Sequence, residues 1–539
     1  MRDTSMNHFT IIFKPDNKQI SIHAGATLFE AAGQAGIILN TVCGGKGTCK
    51  KCLVNLEPDG REVLACQHHI QNDLTVTIPA GSRFFEQKIL EYGIDTQIEL
   101  AATVHKIYRE KGATEKIFGL AVDIGTTTVV AKLINMSDGE CHATEAILNP
   151  QSRYGDDVIS RIAYAQTDEQ STELHKVIID CVNDLTTKLC KKTSIEAKHI
   201  YEMCVVGNTT MNHIFLKLPV TQLGQAPYKA FSLEAQDIPA AHLHLEMNPA
   251  GNIHTVENIA GFVGSDTIAV ALAVDIDSAE ETTLVVDIGT NGELVLGTKE
   301  KLYAASCAAG PALEGARITC GSRAAQGAIE AVVVNEDPDG IGIDLDVIGN
   351  VSPRSICGSG LIDAVAVMLD FGIIDATGRF VEPQKLKDKL PPTIFSRIIE
   401  QDGQLAFCLY RAANVSERKV FLTQKDIRQM QLAKAAIRAG IKLLQKRIGL
   451  EDYEIEHVLL AGAFGNYIRK ESALRIGLLP AVPVEKIRFV GNAAASGARM
   501  ILLSRQCRDK ARELAGKIEY IEIAHEPEFQ DVYADSMLF

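Results

Sequence analysis

The strongest constraint on the fold is an internal repeat. Ala121-Val122-Asp123-Ile124-Gly125-Thr126-Thr127-Thr128-Val129-Val130 is echoed 164 residues later by Val285-Val286-Asp287-Ile288-Gly289-Thr290-Asn291-Gly292-Glu293-Leu294. Each copy is an apolar, β-branched run, then Asp-x-Gly-Thr, then a second β run, which predicts a hairpin with a tight turn of small residues. One such turn need only be a turn. Two at domain spacing predict a duplicated α/β domain whose turns face each other. Gly125, Thr126, Thr127 and Thr128, with Gly289, Thr290, Asn291 and Gly292, can aim N–H and hydroxyl groups at phosphate oxygens. Asp123 and Asp287, at strand ends, can hold Mg2+ through water or orient an attacking water. The expected ligand is ATP clamped between two hairpins. No G-x-x-x-x-G-K-[ST] occurs, so this is not a P-loop ATPase.

Two further glycine turns follow. His457 to Asn466 is an apolar strand entering Gly462-Ala463-Phe464-Gly465, where backbone can lie flat against adenine or ribose. Ser355 to Asp363 reads as a turn opening a helix, and Gly358, Ser359 and Gly360 would offer that N-terminus to phosphate. Helix packing is the competing explanation.

Near the N-terminus lie Cys43, Cys49, Cys52 and Cys66, separated by five, two and thirteen residues, the first gap holding three glycines. A [2Fe–2S] cluster takes three thiolates from one loop and a fourth from a neighbouring segment, and plant-type ferredoxins space theirs C-x4-C-x2-C…C. Cys49-x2-Cys52 would also suit half a zinc knot, but Cys43 and Cys66 are not paired as a second half-site. Phe9 to Phe13 and Gln19 to His23 predict a hairpin. Thr27-x-x-Glu30 predicts a capping box opening a helix to about Ile37, and Cys52 to Glu57 and Leu74 to Ile78 read as strands.

At 539 residues the chain exceeds a single core. The expected division is a ferredoxin-like domain over 1–81, a linker with some helix over 82–116, one ATPase lobe over 117–282 and a second, with a C-terminal segment, over 283–539. A net charge of −14 without a basic run argues against nucleic acid. The sequence has neither an apolar run of about 18 residues nor a signal-type leader, so a soluble, cytoplasmic protein off the membrane is expected. The nine cysteines outside the N-terminal region are scattered singly, as in a reducing compartment. Asn335 to Asp346 reads as a solvated acidic hairpin tip, His68-His69 and the His242/His244 pair as ordinary histidines, and Gln424 to Arg447 as an amphipathic core helix.

The paired Asp-x-Gly-Thr turns with Gly-Ala-Phe-Gly resemble the ATPase fold shared by actin, sugar kinases, acetate kinases and heat-shock chaperones. Adding the cysteine module, Val206 to Met211 (VGNTTM) and Ala309 to Gly315 (AGPALEG), nearly the whole chain resembles the reductive activators of corrinoid proteins. That resemblance implies a β-grasp-like ferredoxin domain followed by a duplicated, two-lobed ATPase in an α/β, multi-domain chain. It implies Cys43, Cys49, Cys52 and Cys66 as ligands of a [2Fe–2S] cluster. Asp123, Asp287, Glu293 and Asn208 would be catalytic, positioning water or Mg2+, and Gly310 would join the nucleotide contacts. The implied activity is ATP-dependent reduction of a Co(II) corrinoid protein to Co(I), fed by a low-potential reductant, in anaerobic metabolism; a homodimer is compatible. The nearest competing reading is an electron donor of the 2-hydroxyacyl-CoA dehydratase activator type. Those bridge a [4Fe–4S] cluster between subunits, against which four cysteines in one module argue. A redox-sensing ATPase or scaffold is the other alternative, recognisable by cluster-dependent partner binding without electron turnover.

Overall fold

The computed structural model describes residues 8–14, 18–35, 37, 39, 52–79, 100, 117–337, 340–412, 419–462 and 468–539. The expected linker, Cys43 and Cys49 lie outside the described residues, apart from Leu100.

In the N-terminal region β1 (His8–Lys14) and β2 (Lys18–His23) form the expected hairpin. They join β3 (Leu53–Glu57), β4 (Arg61–Leu64) and β5 (Leu74–Thr77) in one sheet of order β2-β1-β5-β3-β4. Helix α1 (Leu28–Gln34) buries Leu28, Ala31 and Ala32 against Ile11, Phe13, Val54 and Val76. It stops short of the expected end because the Ile37 amide folds back to the Ala32 carbonyl (2.8 Å), a closure that terminates helices. Strand β4 carried no sequence signal, since its Arg61 and Glu62 are exposed at a sheet edge.

The repeat becomes two six-stranded sheets that share a five-strand order and differ in the edge to which the sixth strand adds. In the first, β6 (Phe118–Ile124), β7 (Thr128–Asn135) and β8 (Cys141–Leu148) form an antiparallel meander. Strand β9 (Ile200–Gly207) adds parallel to β6, followed outward by β10 (Gln236–Pro239) and β11 (Asn252–Thr255) in the order β10-β11-β9-β6-β7-β8. The second sheet repeats this with β12 (Thr283–Ile288), β13 (Gly292–Gly297) and β14 (Leu302–Cys307) as the meander. Lobe II then inserts two small sheets. One is β15 (Ala328–Asp337), β16 (Gly340–Val347) and β17 (Ser355–Ile356), whose β15–β16 hairpin is the acidic segment. The other is β18 (Ile398–Gln401), β19 (Gln404–Arg411) and β20 (Lys419–Thr423). Strands β21 (His457–Ala461), β22 (Ile487–Gly491) and β23 (Ile518–Tyr520) complete the large sheet as β22-β21-β12-β13-β14-β23.

Helices fill three layers. Among the described residues, those of seven residues or more after α1 are, in chain order, α2 (Val158–Tyr164), α3 (Asp168–Thr193), α4 (Thr209–Phe215), α5 (Ser265–Ala273), α6 (Gly358–Asp370), α7 (Gln424–Ile448), α8 (Ala493–Leu503), α9 (Arg505–Lys517) and α10 (Phe529–Asp535). Strand parity sorts the side chains among the layers. Leu120, Val122 and Ile124 of β6 pack outward on α3, while Leu284, Val286 and Ile288 of β12 pack outward on α6 and α7. The opposite parity, Ala121 and Val285, meets α5 and α8 in a third core between the sheets. The expected amphipathic helix is α7, with Ile427, Met430, Ala435, Ile437 and Ile441 buried and Leu432 on its flank. It is capped by Thr423 and ended by Gly449 at φ 71°. Among the described residues no helix is long and apolar enough to cross a membrane.

Candidate functional site

Parity also aims the carboxylates. Asp123 and Asp287 share the alternation of Ala121 and Val285, so both point between the lobes, and Asp287 lies directly across the ladder from Glu293. A strand glutamate is ordinarily solvated, yet Glu293 lines the cleft because that face of β13 covers the seam between lobes. The cavity, of about 180 Å3, is walled by Asp123, Gly125 to Thr128, Asn208, Asp287, Gly289 to Asn291, Glu293, Gly358, Ser359 and Gly462. Asp266, Glu314, Arg323 and Asn492 add polar side chains to the wall, and no motif singles them out as site residues. Glu314 belongs to the Ala309–Gly315 segment, where it is one acid in a glycine-rich loop.

Of the other sequence candidates, Gly292, Gly310 and Gly360 stay off the wall. A Cβ at Gly292 would meet Ile437 at 3.0 Å, and one at Gly360 would strike the Ile329 carbonyl at 2.3 Å, so both serve packing. Gly310 turns the chain at φ 73°. Gly462 earns its position: at φ 87°, a Cβ there would lie 2.4 Å from the Asp287 carboxylate. Ala463, Phe464 and Gly465 are outside the described residues.

Of the five acids lining the cleft, four share a raised affinity for protons. Burial pushes Asp287 up to about 7, with the charge of Asp266 adding to it, and burial raises Asp266 to about 6. Asp123 and Glu293 are driven well above the ordinary carboxylate range, first by burial and then by repulsion from Asp266 and Asp287. Among the described residues no three of these acids converge at metal-ligand spacing, so the missing counter-charge would have to arrive with a ligand that fills the cleft.

Both Asp-x-Gly-Thr turns are held by hydrogen bonds. Asn208 caps α4 by accepting from the Met211 amide (3.0 Å) and donates to Thr126 Oγ1 (2.9 Å). Asn149 donates to the Gly125 carbonyl (2.9 Å), and the fully buried Arg161 donates to the carbonyls of Thr126 (2.5 Å) and Gly155 (3.0 Å). Across the cleft the turns touch, Thr127 Oγ1 lying 2.9 Å from Thr290 Oγ1. A group placed between these two hydroxyls must part them.

At the N-terminal sheet, Cys52 and Cys66 are buried with their sulfurs 3.3 Å apart and are not joined by a disulfide. A tetrahedral metal with bonds of about 2.3 Å sets two thiolates about 3.8 Å apart, so this pair fits two ligands of one metal ion. Cys43 and Cys49, the other half, lie outside the described residues. His69 Nδ1 lies 2.8 Å from the Gly25 carbonyl, in a structural role.

Compared with known proteins, the chain is 33% identical to the corrinoid activation enzyme RamQ of Eubacterium limosum, over 98% of this chain and 99% of that one. The chain belongs to the family of reductive activators of corrinoid proteins. Residues 9–80 of this activator match the 2Fe-2S iron–sulfur cluster binding domain, which favours iron–sulfur over zinc at the cysteines. Residues 118–279 match the RACo middle region, and 281–539 the C-terminal domain of RACo, the ASKHA domain. A solved reductive activator for corrinoid, iron–sulfur protein superposes with a TM-score of 0.72 at 32% identity, covering 98% of each chain. The [Co(II) methylated amine-specific corrinoid protein] reductase of Methanosarcina barkeri is 26% identical over 77% of this chain and 76% of its own.

Proposed function

We propose that this activator uses ATP to drive one electron from a [2Fe–2S] cluster onto the Co(II) corrinoid of a partner protein, restoring Co(I). The observation that carries this is one chain, alike over its length to a corrinoid activation enzyme, holding a buried dithiol in one domain and a two-lobed, acid-lined cleft in another. When bound by Cys43, Cys49, Cys52 and Cys66, the cluster supplies one-electron carriage.

The cleft residues do the rest. Gly125 to Thr128 and Gly289 to Asn291 hold the phosphates, the first turn of α6 at Gly358 and Ser359 adds backbone donors, and Gly462 borders the nucleoside. Asp123, Asp287 and Glu293 hold the waters of a Mg2+ that arrives with the nucleotide, and Asp266 joins them. Asn208 positions Thr126 rather than meeting water itself.

Energetics explain why ATP is needed. Plant-type clusters lie near roughly −400 mV, and a Co(I) corrinoid is a stronger reductant. Each ~60 mV of one-electron climb costs about 1.4 kcal/mol. ATP helps only through different affinity for two conformations, and parting or closing the lobes about the α5–α8 seam supplies the pair. A low-potential donor upstream refills the cluster.

The test is anaerobic. Cluster-reduced activator is mixed with a Co(II) corrinoid protein and the corrinoid spectrum is followed with and without ATP. A Co(I) yield that rises with ATP supports the coupling; equal yields remove it. A [4Fe–4S] cluster shared by two subunits also gives about two irons per chain, so the visible and electron paramagnetic resonance spectra, with cluster retention in isolated monomer, separate this reading from a subunit-bridging donor.

A further inference from the structure

Between the two phosphate turns stands a carboxylate that no nucleotide-binding role requires. Glu314 ends a short turn, Pro311–Glu314, after β14. Its Oε1 accepts from Thr290 Oγ1 at 2.5 Å, and Thr127 Oγ1 lies 3.1 and 3.2 Å from its two oxygens. Arg323 Nε stands 3.5 Å away, and both charged side chains are nearly buried. The hydroxyls of the two lobes therefore converge, with a guanidinium, on one anion. The donor set, two turn hydroxyls from opposite lobes and an arginine, is what a terminal phosphoryl group would seek.

The hydrogen count supports the assignment. Thr290 spends its only hydroxyl proton on Glu314, which leaves Thr127 to donate either to Glu314 or to Thr290. Both hydroxyls are committed, so an incoming phosphate oxygen finds neither Thr127 nor Thr290 free to donate until Glu314 leaves. Two anions cannot share the spot, because Arg323 and Arg161 already face Asp156 as well as Glu314 and cannot offset a further anion.

We infer that Glu314 is a built-in surrogate for the terminal phosphate, holding the lobes together around its own carboxylate and yielding that place to ATP but not to ADP. This rests on the nucleotide reading of the cleft and adds to it a residue that sets triphosphate against diphosphate affinity. ADP carries no group that reaches this position, so it binds without contesting Glu314. A triphosphate must first displace the carboxylate, and its apparent affinity falls by the fraction of molecules in which the place is open.

The experiment is calorimetric titration of the full-length, cluster-loaded protein with ADP and with β,γ-imido-ATP, both with Mg2+. Wild type is compared with Glu314→Ala and with Glu314→Gln, the second keeping side-chain volume if the first folds poorly. If the surrogate is populated in about nine molecules of ten, its removal strengthens the triphosphate analogue about tenfold and leaves ADP within about twofold. The ratio of ADP to analogue dissociation constants should rise about fivefold or more in Glu314→Ala and by a smaller factor in Glu314→Gln. A ratio unchanged or lowered in both variants overturns the surrogate role, since a merely structural Glu314 would shift both nucleotides alike. If wild type binds neither nucleotide, it is the ATP reading that fails instead.

Discussion

Asp156 shows how single residues set the cleft's response to pH. Its Oδ2 is buried without a partner, and burial pushes the group up to about 6, with Arg323 and Arg161 only partly offsetting this. A carboxyl raised in the folded state is most favourable to folding below its unfolded value near 3.8 and loses that contribution as pH climbs through 6. Asp156→Asn should therefore stabilise the protein at pH 7 by of order 1 kcal/mol, given the group's partial solvation, and gain nothing at pH 4. Urea melts at the two pH values check this; an equal effect at both would contradict it. Cys66 is the second residue to test. Cys66→Ser should cut iron from about two per chain to well under one and bleach the visible spectrum. ATP hydrolysis should persist, because Cys66 belongs to a core made only of N-terminal residues.

At the scale of elements, the decisive contact is the crossing of α5 and α8. Gly497 of α8 lies so close to α5 that a Cβ would sit 2.0 Å from the Ala269 carbonyl. Gly497→Ala must therefore prise the helices apart, at a cost of about 1–3 kcal/mol. Since these helices fill the core between the sheets, the same change should weaken binding of a nonhydrolysable ATP analogue. Denaturation midpoints and titration, measured together, test whether stability and affinity fall in step; full affinity in a destabilised variant would place the hinge elsewhere. The C-terminal helices reinforce this seam, for Arg508 of α9 pairs with the buried Glu202 of β9.

For the whole molecule, the N-terminal sheet has its own hydrophobic core, distinct from the three that build the lobes. Calorimetry should accordingly show two transitions. Mg2+-ATP at about a hundred times its dissociation constant should raise only the lobe transition, by about 2.7 kcal/mol. Removing iron should lower only the other. A single transition moved by both treatments would mean that the parts melt as one unit.

Local patterns in the sequence determined a good deal. The Asp-x-Gly-Thr copies specified their hairpins, the period of α7 specified its buried stripe, and the N-terminal strand runs formed most of their sheet. In each, near-neighbour alternation and turn chemistry suffice to choose the conformation. Only the tertiary structure decided that Glu293 faces the cleft, that Gly292 and Gly360 serve packing, and that Asp266, Arg323 and Glu314 belong to the site. Those outcomes depend on which sheet face meets α5 and α8 and on residues 143 or more positions from Asp123. A burial or a shared anion fixed by such distant contacts leaves no periodic trace along the chain.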